Sequence, residues 1–189
     1  MRYLLAFITF LMLSTAAVAG NPQVVIDTNR GSFILELYPE KAPKTVANFL
    51  EYANSGFYSG TIFHRVINRF MIQGGGFSPA MMEKDTRAPI VNEAANGLTN
   101  EVGTIAMART SDPNSATSQF FINLENNQFL NYQGDDPQLI GYCVFGRVIK
   151  GMDVVRQIGV TPTGNFGAHS DVPRTPIVIK SVTINKNPV

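Results

Sequence analysis

The chain has 189 residues, 15 Lys and Arg against 14 Asp and Glu, 44% apolar residues, a single cysteine and no tryptophan. So even a balance gives no electrostatic case for binding nucleic acid or an anionic membrane surface. A lone cysteine excludes an internal disulfide framework, so the fold must rest on an apolar core, and the length suits one domain.

Residues 1–19 read as a secretory signal peptide. Met1-Arg2 is a short basic start, Leu4 to Leu13 an apolar run, and Ala17-Val18-Ala19 a small-residue cleavage site. The apolar run is short for a membrane span, and no cysteine follows the cut to carry a lipid anchor. The expectation is a periplasmic protein, free of the membrane after cleavage, with residues 20–189 forming one domain without repeats or linkers. Arg2 leaves with the leader, so the mature chain is neutral.

In chain order, 24–27 and 32–37 are strand-like runs joined by the hairpin turn Thr28-Asn29-Arg30-Gly31. Between Pro39 and Gly56, prolines at the entrance, Val46, Phe49, Leu50 and Ala53 at helical spacing and a glycine stop predict one amphipathic helix. A second hairpin spans 63–76. Phe63 to Ile67 runs out, Asn68-Arg69 turns, Phe70 to Gln73 returns, and three glycines end it. A period of two puts Met71 and Gln73 on one face, where Arg65 can join them; the stretch reads as a binding groove. The plainer alternative is a solvated strand arginine beside an ordinary glycine turn.

After a long irregular loop, 77–97, come the strands 103–108 and 118–124. In the second, Phe120, Ile122 and Leu124 share a core-type face, while Gln119, Phe121 and Asn123 share the other. An irregular segment, 125–141, leads to a strand at 142–149, in which Cys143 reads as buried and inert. A short helix at 151–158, a Pro/Gly/Thr-rich loop at 160–176 and a last strand at 177–185 complete the chain. About eight strands and two helices predict a mainly β fold, a closed eight-stranded antiparallel β-barrel capped by two α-helices.

The usual reactive constellations are missing. Gly74-Gly75-Gly76 is not followed by the Lys and Ser/Thr of a phosphate loop. His64 and His169 are the only histidines and lack Cys or carboxylates at ligand spacing, so no metal and no cofactor are expected. No Gly-x-Ser-x-Gly occurs. His64 reads as a supporting residue beside Arg65, and His169 as an exposed loop residue.

At Phe63-His64-Arg65, Phe70-Met71-Ile72-Gln73-Gly74-Gly75, Ala106-Met107-Ala108, Ser118-Gln119-Phe120-Phe121-Ile122 and Val144-Phe145-Gly146 the chain resembles the cyclophilin family of peptidyl-prolyl cis-trans isomerases. The likeness runs from about Val24 to Ile184. Asn92-Glu93-Ala94, Thr104 to Arg109 and Gly151-Met152-Asp153-Val154 resemble the exported bacterial members. The resemblance implies the same barrel with a groove on its outer face, and a monomer that acts on proline-containing unfolded or extended polypeptides. It implies Arg65 as the catalytic residue, Phe70, Met71, Phe121 and Leu130 as a proline pocket, Gln73 and Gln119 as holders of the substrate backbone, and Ala108 and Arg109 as main-chain partners. Phe129 stands where a tryptophan is common, Tyr142 where a histidine is common and Arg109 where an asparagine is common. The lost tryptophan implies weak cyclosporin binding. Two other readings compete with the isomerase: a non-catalytic proline-motif binding module or holdase on the same barrel, and a carrier barrel with its ligand inside.

Overall fold

The structure is a computed structural model that describes residues 20–185. The leader expected over 1–19 lies outside the described residues. The first hairpin pairs β1 (Gln23–Thr28) with β2 (Gly31–Leu37), and the two-residue turn works because Gly31 takes a φ of 121°. Val24, Ile26, Phe33 and Leu35 alternate inward and are fully buried. Helix α1 (Pro43–Asn54) starts on proline and has no side-chain cap of its own. Its cap comes from 48 residues beyond Thr45: the Glu93 carboxylate accepts from the Lys44 and Thr45 N–H groups at 3.1 and 2.8 Å and from the Thr45 hydroxyl at 2.7 Å.

The remaining strands of the main sheet are β3 (Arg65–Ile67), β4 (Met71–Gly74), β5 (Thr104–Met107), β6 (Phe120–Asn123), β7 (Val144–Lys150) and β10 (Ile179–Asn185), with α2 (Met152–Gly159) after β7. All eight join one antiparallel sheet in the order β10-β1-β2-β7-β5-β6-β4-β3. The sheet is mainly β with two helices, as expected, but it is a curled sheet rather than a closed ring. Its edge strands β3 and β10 share no ladder, because β3 is only three residues long. The segments ahead of them meet instead, through an Ile62–Val178 bridge with Phe63 N–H to Ile177 O at 2.9 Å and Ile179 N–H to Thr61 O at 2.8 Å.

The expected loop at 160–176 is also corrected. It contains a separate two-stranded hairpin, β8 (Thr163–Phe166) and β9 (His169–Pro173), turned at Gly167. The inside of the curl is filled by rings rather than left as a carrier's cavity: Phe49 contacts Tyr58, Phe120 and Phe145 at centroid distances of 5.2 to 5.6 Å. A smaller apolar cluster of Met71, Ala106, Phe121 and Val144 lies apart from that core. Each of its members neighbours a core residue in sequence (Ile72, Ile105, Phe120, Phe145), so the period of two serves two apolar faces at once.

Candidate active site

Two members of the second cluster, Met71 and Phe121, form the floor of a groove of about 430 Å³. Strand register builds it. Arg65 on β3 stands opposite Gln73 on β4, Gln73 opposite Phe121 on β6, Phe121 opposite Ala106 on β5, and Ala106 opposite Val144 on β7. A cation and an amide therefore sit at one end of a registered row whose other members are apolar. Met71 and Phe121 are buried, whereas the Arg65 side chain is 42% exposed. Arg69, in the turn between β3 and β4, takes a φ of 58°, and the turn returns Phe70 to the groove edge.

Of the residues singled out from sequence, His64, Arg65, Phe70, Met71, Gln73, Ala108, Arg109, Phe121, Leu130 and Tyr142 all line this groove. Gln119 lines an adjoining depression with Gln73, Ala108 and Arg109. The Gln73 Nε2 donates to Gln119 Oε1 at 3.1 Å, and Gln119 Nε2 donates to Glu83 Oε1 at 3.2 Å, so the two amides are set as a chain. Gly76 makes room for it: a Cβ there would lie 2.5 Å from the Gln119 Cγ. The Ala108 N–H donates to the Gln119 carbonyl at 3.0 Å. The Arg109 guanidinium lies 4.6 Å from the Tyr142 ring centroid and donates to the Gly141 and Thr110 carbonyls. Its charge braces the wall. Tyr142 in turn meets Phe121 edge-on at 5.6 Å.

Phe129 is placed differently from the rest. The 3₁₀ turn Gln128–Leu130 sends Leu130 into the groove and Phe129 outward, 67% exposed. It reaches the groove only by stacking on Phe70, with centroids 5.7 Å apart and an interplanar angle of 25°.

Two features escaped the sequence. One is a buried amide network beneath the groove: Asn123 donates to Asn100 Oδ1 at 3.1 Å and Thr104 Oγ1 at 2.9 Å, and Asn127 donates to Asn123 Oδ1 at 2.7 Å. Asn127 also donates to the Phe70 carbonyl and Asn100 to the Leu130 carbonyl, so the network fixes two groove residues by their backbones. The other is the hairpin β8–β9, which lays Ala168, His169 and Ser170 on the groove wall. His169, read as a bystander, meets Phe77 edge-on at 5.3 Å, and Phe77 packs on His64 at 4.5 Å.

Electrostatics agree with a site that does not move protons. Burial, helped by His169 and Arg65, lowers the His64 pKa to about 4, and its Nδ1 has no hydrogen-bond partner. Burial raises the Cys143 thiol to about 11, which leaves it protonated and weakly nucleophilic. Among the described residues no group of three His, Cys, Asp or Glu side chains is placed to hold a metal ion. A groove with a fixed cation, aligned amides and an apolar floor can bind an apolar ring beside a polar backbone and stabilise a lone pair that develops there.

The family model for cyclophilin type peptidyl-prolyl cis-trans isomerases matches residues 23–184, and the chain belongs to that family. It is a peptidyl-prolyl cis-trans isomerase. Among its relatives, peptidyl-prolyl cis-trans isomerase B of Escherichia coli (strain K12) is 55% identical over 86% of this chain and 99% of its own length. Peptidyl-prolyl cis-trans isomerase A of Dickeya dadantii (strain 3937) is 50% identical over 98% of both chains. Of solved structures, a Cryptosporidium parvum cyclophilin type isomerase crystallised in the presence of the dipeptide Ala-Pro superposes with a TM-score of 0.72 at 32% identity. That match covers 87% of this chain and 99% of the other.

Proposed function

We propose that Xaa-Pro rotation takes place in the groove beside Arg65, with Arg65 as the catalytic residue, and that the substrates are proline-containing segments of exported polypeptides still folding in the periplasm. The observation that carries this reading is the registered row Arg65, Gln73, Phe121, which sets a permanent cation beside an apolar floor. The barrier to rotation, about 18 to 20 kcal/mol, is lost amide resonance, so no bond need be broken. In the twisted transition state the proline nitrogen regains a lone pair. Arg65 offers it directed N–H donors whose charge does not depend on pH. Phe70, Met71, Phe121 and Leu130 hold the pyrrolidine ring. Gln73, Gln119 and the Ala108 and Arg109 main chain hold the residues beside it, so rotation is confined to one bond. A hundred-thousand-fold acceleration asks for about 7 kcal/mol, within reach of fixation, desolvation and one charged hydrogen bond together.

Rotation about an amide breaks no bond and so asks for no cofactor, and the working unit is taken as a monomer. The Ala-Pro dipeptide used with the Cryptosporidium parvum relative favours proline-containing peptides as ligands here. Export rests on the tripartite pattern of residues 1–19, and the match to the Dickeya dadantii relative extends into that segment. Phe129 lacks the indole N–H of a tryptophan, so cyclosporin binds weakly. Cis-trans exchange of a short Ala-Pro peptide, wild type against Arg65→Ala, tests the site. A binding module or holdase would bind the peptide without faster exchange. The intact mass of the exported protein tests the leader, and a mass retaining residues 1–19 would refute export.

A further inference from the structure

We propose that Asp171 is a positioning residue for Arg65, delivered by the β8–β9 hairpin from outside the groove; this rests on Arg65 being the catalytic group. Arg65 stands on β3, the last strand at one edge of the sheet, with a long side chain that is 42% exposed. Among the described residues its guanidinium has one charged partner, the Asp171 carboxylate, with Nε and Oδ2 3.8 Å apart. That separation is beyond a hydrogen bond, so the attraction orients the cation while every guanidinium N–H stays free for substrate. A closer carboxylate would occupy those donors. Asp171 does not itself line the groove; its neighbours Ala168, His169 and Ser170 do. The hairpin packs on β3, so wall and carboxylate arrive together. Asp171 takes a φ of 59°, a left-handed conformation that Asp and Asn adopt more readily than most residues. Asp171→Asn therefore removes the charge and keeps the backbone.

The test uses the full mature chain and a short Ala-Pro peptide. Asp171→Asn is expected to lower kcat about three- to fivefold, as a partly exposed ion pair allows, with KM changed less than twofold and Tm unchanged. The order parameter of the Arg65 Nε–H bond, read by ¹⁵N relaxation, is expected to fall in the same variant. Unchanged kcat, or a lower kcat with an equally ordered Arg65 Nε–H, would overturn the proposal. Arg65→Ala separates the two readings. If it keeps full turnover, the assignment of Arg65 fails; if it is inactive while Asp171→Asn matches wild type in both readouts, only the role of Asp171 fails.

Discussion

Replacing Arg65 by lysine and by alanine separates its charge from its geometry. The fold should tolerate both changes, since the side chain is 42% exposed and its ion pair with Asp171, at 3.8 Å, contributes at most about 1 kcal/mol. Turnover should not. A hydrogen bond to a charged group contributes about 1.5 to 3 kcal/mol, and each 1.36 kcal/mol is about tenfold in rate, so Arg65→Ala should lower kcat/KM by about 10- to 150-fold. Lysine keeps the unit charge but loses the planar set of donors, so Arg65→Lys should retain more activity than alanine and still fall by about tenfold. Exchange of an Ala-Pro peptide followed by NMR supplies both numbers. The wild-type rate should be flat between about pH 6 and 8, because arginine does not titrate there. His64 does not change charge there either, since its pKa lies near 4. Wild-type turnover in Arg65→Lys, or a step near the ordinary histidine pKa that persists when the groove-wall histidine is removed in His169→Gln, would refute the reasoning.

His64 makes a stability prediction instead. Burial lowers its pKa to about 4 from an unfolded value of about 6.5, so between these values the unfolded chain binds more protons. Its contribution, on the order of 3 kcal/mol, is fully present above pH 6.5 and is lost as the pH falls toward 4. Stability against denaturant should therefore fall more on acidification in wild type than in His64→Phe, and equal slopes would refute this. Cys143, buried with its thiol pushed up to about 11, should resist thiol reagents at pH 8 until denaturant opens the fold; fast labelling of the native protein would contradict it. Chelators should leave turnover unchanged, and rapid loss would point to a metal site missed among the described residues. Phe129→Trp should tighten cyclosporin about two- to tenfold, the effect of one added hydrogen bond, while turnover stays within about twofold. Tight inhibition of the wild type, or no gain in the variant, would show that Phe129 does not stand at the tryptophan position.

What could be read from the sequence was whatever a local period encodes. The alternation in 118–124 separated Phe120 and Ile122 from Phe121, and the structure places the first two in the main core and the third on the groove floor. Arg65 and Gln73 could be paired because their hairpin closes within ten residues. Features set by distant partners left no such trace. The cap of α1 is Glu93, which no spacing links to Thr45. Asn123 was on the groove face by alternation, yet its partners Asn100 and Asn127 come from separate loops, and an asparagine destined for a buried network looks the same in sequence as a solvated one. The β8–β9 hairpin reads as loop in the sequence because its strands are four and five residues long, polar and broken by glycine. Its position is decided by packing against β3, about a hundred residues earlier in the chain. For that reason His169 reads as an exposed loop residue and Asp171 gives no signal in the sequence, although one lines the wall beside Arg65 and the other faces its cation. The groove thus has a floor fixed by strand register and one wall fixed only by docking. Substitutions in β8–β9 should accordingly alter turnover without unfolding the sheet beneath.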